Sequence, residues 1–154
     1  MFDVSIIIPV YKAKYTIKKT LESINNQKFK YKIPKIELIL SSDDNKNYDK
    51  DRSILNNEII NVKITSTNKI GSGPGNARNI GFKKSTGKYI CFLDADDEYS
   101  ENYVCEMLQE IKREKLLISV TKIFNKEVIN ILALEKRDNF SSLLRFSLDK
   151  NEKE

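Results

Sequence analysis

Three carboxylates, Asp94, Asp96 and Asp97, stand directly after the apolar run Tyr89-Ile90-Cys91-Phe92-Leu93. Such a run reads as a strand buried on both faces. Open α/β sheets bind ligands at the carboxyl ends of their strands, so the acidic cluster falls where such a sheet holds a ligand. Like charges this close disfavour each other's ionised form, and a divalent cation relieves the repulsion. Carboxylate oxygens suit hard ions such as Mg²⁺ or Mn²⁺. Magnesium typically takes one or two protein carboxylates and completes its shell with substrate phosphates. The same residues also suit a solvated turn that caps the next helix, and residue types alone do not separate the two readings.

The elements that must position this cluster follow from periodicity. Val4 to Pro9 is a buried first strand, ended by a proline that cannot donate to a ladder. A helix is expected from Tyr15, with Ile17, Leu21 and Ile24 on one face. Ile36 to Leu40 and Ile59 to Thr65 read as further strands, with a weak helix over Asp51 to Asn57 between them. Gly71-Ser72-Gly73-Pro74-Gly75 is a glycine-rich loop, and Pro74 suits the first turn of a helix. Ala77, Ile80, Gly81 and Lys84 share a face of that helix, which Gly87 is expected to end. Lys88 to Leu93 is the fourth strand. Val104, Met107, Leu108 and Ile111 mark an amphipathic helix. Leu116 to Phe124 and Glu127 to Leu132 read as two more strands, and Phe140, Leu143, Leu144 and Leu148 as a last helix.

Alternation of strands and helices implies an α/β fold, a mostly parallel sheet with helices on both faces. Residues 1–150 read as one domain and 151–154 as a charged tail. Three polar segments then meet at the carboxyl edge: Pro9-Val10-Tyr11, Ser42-Asp43-Asp44-Asn45 and Asp94 to Asp97.

Composition narrows the function. The 154 residues carry net charge +5, and the lysines are spread along the chain. No nucleic-acid module is present, so nucleic acid is not expected as a partner. Basic charge does favour weak attraction to an anionic membrane surface. No apolar run approaches the ~20 residues of a membrane span. Met1-Phe2-Asp3-Val4 enters a strand with no basic leader, so a cytoplasmic protein is expected. Cys91 and Cys105 read as inert core thiols. Histidine is absent, which leaves Asp, Glu, Lys or Tyr as a general base.

Four segments in order resemble a nucleotide-sugar glycosyltransferase of family 2 with the GT-A (Rossmann-like) fold. They are Val4 to Tyr11, Thr20 to Gln27, Gly75-Asn76-Ala77-Arg78-Asn79-Ile80-Gly81, and Thr86 to Asp97 with its Asp94-Ala95-Asp96. The resemblance covers residues 4–115. It implies an inverting, metal-dependent transfer of sugar from a nucleoside-diphosphate donor, a UDP-sugar by family frequency, to a glycan or lipid-linked acceptor. It implies a nucleotide-sugar site of Pro9, Tyr11, Asp43, Asp44, Arg78, Asp94, Ala95 and Asp96. Asp96 and Asp97 would hold Mg²⁺ or Mn²⁺. Tyr11 and the Asp43-Asp44 pair would hold the base, Asp94 would lie near the ribose or the metal, and Arg78 would approach the diphosphate or pair with the acidic cluster. A site at the inner face of a membrane, and a partner chain or oligomer, are compatible with it.

The chain departs from the pattern in places. Lys12 stands where the family often has Asn, and Asp43-Asp44-Asn45-Lys46 replaces the common Asp-Asp-Gly-Ser turn. An ungapped register puts Ser42 and Asp43 on the two acidic positions. A one-residue insertion puts Asp43 and Asp44 there, with Asp44 on the base, and is preferred. The stretch after Asp97 is short for an acceptor-binding half, so the expectation is a domain shortened at its C-terminus, with no catalytic base assigned. A non-catalytic donor-binding module remains the alternative. Two other readings fail. A dinucleotide fingerprint would need its third glycine at Asn76, and an EF-hand over Asp94 to Cys105 has Tyr99 and Cys105 where Gly and Glu belong.

Overall fold

The computed structural model describes residues 2–114, 118–123 and 126–135. Four parallel strands form its centre. They are β1 (Val4–Val10), β2 (Ile36–Ser42), β3 (Ile60–Ser66) and β4 (Tyr89–Phe92). The helices are α1 (Ile17–Asn25), α2 (Pro74–Lys84) and α3 (Tyr103–Glu114), with a 3₁₀ turn at Asp51–Ile54. Strands β5 (Ile118–Ile123) and β6 (Lys126–Glu135) complete a sheet ordered β3-β2-β1-β4-β6-β5. β6 runs antiparallel to both β4 and β5, so the sheet is mixed at that edge. The expected last helix and the tail lie outside the described residues.

Side-chain alternation in β1 sorts the helices onto two faces. Val4, Ile6, Ile8 and Val10 join Ile36, Leu38 and Leu40 in a core with Ile17, Leu21 and Ile24 of α1 and Val104, Met107, Leu108 and Ile111 of α3. Ile7 and Ile39 face the other way, with Ile90, and Phe82 of α2 packs against them. There α2 approaches closely. A Cβ on Gly81 would lie 2.5 Å from Ile7 Cγ2, so only glycine fits. Ala77 and Gly81 are the buried positions of that helix, while Lys84 is exposed.

Most element boundaries differ from expectation by one to three residues, and three of the differences have a physical reason in the contacts. β1 continues through Pro9 to Val10. Its pairing with β4 stops at Ile7↔Phe92, and Ile7 O accepts the Leu93 N–H at 3.1 Å. Pro9, two residues on, faces the same side past the end of β4, so it forfeits no ladder bond. Helix α1 starts at Ile17, with the Thr16 and Ile17 N–H groups both donating to Ala13 O. Helix α2 ends at Lys84, and Gly87 serves a different need from a cap. Its backbone lies against β1, where a Cβ would come within 2.5 Å of Ser5 N.

At the sheet's amino end Glu37 is fully buried on β2. Its carboxylate accepts Ser5 Oγ and Lys63 Nζ at 2.5 Å each, and Thr86 N and Oγ1 at 2.7 and 2.8 Å. Burial pushes its carboxyl up, but these donors outweigh that and hold it at about 2. One side chain thus ties β1, β2, β3 and the α2–β4 turn together. Cys91 is buried and Cys105 partly so, and both are free thiols.

Candidate functional site

At the carboxyl edge a cleft of about 310 Å³ is lined by Pro9, Val10, Tyr11, Asp43, Gly71, Gly73, Pro74 and Ala77. Parallel strands place it there. β1 delivers Pro9 to Tyr11, β2 delivers Asp43, and the glycine loop after β3 crosses between them. Asp43 N donates to Val10 O at 2.8 Å, and Gly71 N donates to Asp43 O at 2.8 Å. Gly71 and Gly73 take φ of +69° and +96°, a region costly for other residues.

The Asp43 carboxylate is only 2% exposed. Its Oδ1 accepts Thr67 Oγ1 at 2.7 Å and Ser72 Oγ at 2.5 Å, and its Oδ2 accepts Gly73 N at 2.9 Å. Burial pushes this carboxyl up, and the donors from Ser72, Thr67 and Gly73 more than offset it, leaving it below its ordinary value. The Ser72 backbone N–H adds to these donors.

Asp44 does not line the cleft. Its carboxylate accepts Lys12 N at 2.8 Å, Tyr48 Oη at 2.9 Å, Ser42 Oγ at 3.1 Å and Lys46 N at 3.2 Å. Burial and these donors again act oppositely, with the donors prevailing. The preferred sequence register set Asp44 on the base; the geometry instead puts Asp43 in the cleft wall and makes Asp44 the anchor of both loops. Lys12, whose backbone N–H makes the first of these bonds, is the residue that stands where the family often has Asn. That residue has φ of +53°, a left-handed conformation that Asn adopts more readily than Lys.

Tyr11 is 45% exposed at the cleft mouth, its hydroxyl 3.7 Å from where a Gly71 Cβ would be. Lys12 Nζ sits 5.0 Å from its ring centroid. On α2, next to the cleft residue Ala77, Arg78 donates from Nη2 to Asp94 Oδ1 at 2.5 Å. Of the two expectations for Arg78, pairing with the acidic cluster is the contact present. Neither Arg78 nor the acidic turn lines the cleft itself.

The turn after β4 is closed by Asp97 N donating to Asp94 O at 3.1 Å. Ala95 is buried, while Asp96 and Asp97 are exposed. Partial burial, and then repulsion from Asp94 and Asp96, push the Asp97 carboxyl up. Among the described residues no three metal-ligating side chains already form a complete ligand set. The donor chemistry nevertheless fits a hard divalent cation: two exposed carboxylates in one turn, mutually repelling, leave the rest of a coordination shell to phosphate oxygens.

Sequence reasoning singled out the carboxylates and missed their holders. Thr67, Ser72 and Tyr48 carry no local signal, since each is an ordinary polar loop residue until the chain brings it to Asp43 or Asp44. The nearest clue was compositional, a serine inside the glycine loop.

The sequence matches the glycosyl transferase family 2 pattern over residues 5–153. The Escherichia coli UDP-Glc:alpha-D-GlcNAc-diphosphoundecaprenol beta-1,3-glucosyltransferase WfaP is 28% identical over 148 residues, which are 93% of this chain and 56% of that protein. The chain spans about half the length of WfaP and smaller shares of other curated relatives it matches. Staphylococcus aureus TarS in complex with UDP-GlcNAc superposes with a TM-score of 0.64 at 23% identity, over 83% of this chain and 37% of that one. The mannosyltransferase PcManGT of Pyrobaculum calidifontis, in complex with GDP-Man and Mn²⁺, superposes with a TM-score of 0.58 at 16% identity, over 71% of this chain and 32% of that one. At these identities the likeness to the two structures concerns the fold, which is GT-A. Since the family pattern runs through nearly all of the sequence, the chain belongs to glycosyl transferase family 2.

Proposed function

We propose that this chain binds a nucleoside-diphosphate sugar, a UDP-sugar, at its carboxyl edge, and that it is the donor-binding part of an inverting glycosyltransferase. The observation that carries the reading is the cleft between Tyr11 and Asp43, with the Arg78–Asp94 pair on the adjoining helix and turn. The base lies against the exposed Tyr11 ring, and the Asp43 carboxylate in the cleft wall accepts the uracil N3–H as a charge-assisted bond. Pro9 and Gly73 shape the floor. Asp94 is near the ribose, with Ala95 beneath it. Arg78 turns between Asp94 and the diphosphate, to which a guanidinium presents paired donors. Asp96 and Asp97 would hold Mg²⁺ or Mn²⁺, which would supply Lewis-acid stabilisation of charge on a diphosphate.

The acceptor is a glycan or a lipid-linked saccharide, a reading supported by the lipid-diphosphate substrate in the WfaP name. The acceptor hydroxyl gives its proton to a carboxylate base, which is not assigned among the described residues, as its oxygen attacks the anomeric carbon from the face opposite the diphosphate; the bond to the diphosphate breaks and the configuration inverts. Work at an anionic membrane surface belongs to the same reading. Its support is the exposed run Lys30, Lys32 and Lys35, with Tyr31 74% and Ile33 53% exposed between them. No helix among the described residues is long and apolar enough to cross a membrane. Sedimentation with anionic but not neutral vesicles is the expected result, and equal partition would count against it.

The reading is tested at the base. Stacking of a base on an aromatic ring contributes about 1–3 kcal/mol, so Tyr11→Ala is expected to weaken UDP at least about fivefold. An unchanged dissociation constant contradicts the placement of the base. Added acceptor then separates transfer from simple donor binding.

A further inference from the structure

The acidic turn is pinned at both ends, and the second pin comes from α1. At its start Leu93 N donates to Ile7 O at 3.1 Å. At its end Tyr99 N donates to Ser23 Oγ at 3.0 Å, while Ser23 Oγ donates to Thr20 O at 2.7 Å. Just past the end of α1, Gln27 Nε2 donates to Ser100 O at 2.6 Å and to Ser23 O at 3.0 Å. Its Oε1 accepts the Val104 N–H at 2.9 Å and so caps the start of α3. Lys28 N then donates to Glu101 O at 2.6 Å. Below the turn the Tyr99 ring stacks on Tyr103, centroids 4.0 Å apart.

Ser23 and Gln27 are each only 9% exposed. Both are buried polar side chains, Ser23 on the inward face of α1 and Gln27 in the segment that follows it. Their hydrogen-bonding capacity goes largely to the backbone that follows Asp97. We infer that Ser23 and Gln27 are positioning residues for the Asp94–Asp97 turn: they hold its carboxylates ready for a divalent cation without touching the ligand. The inference rests on the proposed function for the identity of that ligand.

The physical reason is ordering. Three carboxylates repel one another and favour a splayed chain. Fixing each backbone residue costs about 1–2 kcal/mol, so a turn ordered only on binding loses affinity by that cost. A turn already tied to β1 and α1 does not.

Two substitutions separate positioning from general stability. Ser23→Ala removes the acceptor for Tyr99 N. Gln27→Glu keeps an oxygen for Val104 N, so the α3 cap survives, but removes the donor to Ser100 O and Ser23 O. UDP is titrated into the chain calorimetrically with and without Mn²⁺, and exchange of the Asp97 to Ser100 amides is followed without ligand. Both variants are expected to lose about tenfold of the Mn²⁺-dependent gain in UDP affinity. Metal-free UDP affinity should be unchanged, and those amides should exchange faster. A merely structural role would weaken both affinities together. A wild-type ratio retained in both variants overturns the inference while leaving the site reading intact. A wild type whose UDP affinity ignores Mn²⁺ overturns both, because the turn would then hold no metal.

Discussion

The Asp43–Asp44 loop and the Asp94–Asp97 turn both gather carboxylates at the same edge of the sheet, and they handle the charge in opposite ways. Asp43 and Asp44 are buried and surrounded by donors, from Thr67, Ser72 and Gly73 on one and from Lys12, Ser42, Lys46 and Tyr48 on the other. Both carboxyls are held below their ordinary values. Asp96 and Asp97 are exposed, and Asp97 is pushed up by burial and by its acidic neighbours. The first region has its charge compensated by the protein, so it is built as structure. In the second, Arg78 pairs with Asp94, and among the described residues Asp96 and Asp97 have no cationic partner, which suits a divalent cation.

Stability should break the comparison if it is wrong. Asp43→Ala leaves two hydroxyls and a backbone N–H without their acceptor, each a cost of about 1–3 kcal/mol when buried. A loss of about 3–4 kcal/mol is expected in urea denaturation. A midpoint shift within error would mean that Asp43 is not structural.

Glu37, at the opposite edge, is a reference for a fully compensated carboxylate. Its folded value of about 2 lies below the ordinary 4.5. Its contribution is therefore complete above pH ~4.5 and is lost as pH falls toward 2. Glu37→Gln should cost about 3 kcal/mol near neutral pH, with the gap from wild type closing over that acid range. A gap independent of pH would refute the linkage.

The smallest effect belongs to the turn. Because Asp97 is raised in the folded chain, its ionisation opposes folding: its contribution is present below the ordinary carboxyl range and lost as pH rises through the folded value. Asp97→Asn should leave stability at neutral pH within about 0.5 kcal/mol of wild type, or slightly above it. A large loss would place Asp97 among the structural carboxylates and erase the contrast.

The same division governs what the sequence disclosed. β1, β2 and β4 were legible as continuous apolar runs because the sheet is covered on both faces, so neither face needs polar residues. Helix α2 has few large apolar residues, and its signal was Pro74 with Ala77 and Gly81, which the close approach to Ile7 demands. The exposed carboxylates were legible because they follow a strand directly. The antiparallel run of β6 was not, since pairing direction depends on where the chain returns rather than on the strand's own residues. Nor was the choice between Asp43 and Asp44, which differ only in which way the loop turns them. Glu37 lay unnoticed inside an apolar run, because its partners Ser5, Lys63 and Thr86 come from three other places in the chain.

The central claim is that the exposed acidic turn takes a divalent cation together with a nucleoside diphosphate. Calorimetric titration of UDP into the chain with and without Mn²⁺, repeated on Asp96→Ala, tests it most directly. The account predicts tighter binding with Mn²⁺ in the wild type, and in Asp96→Ala an affinity that no longer responds to the metal. Binding that is indifferent to Mn²⁺ in the wild type, or a full Mn²⁺ response in Asp96→Ala, would contradict it.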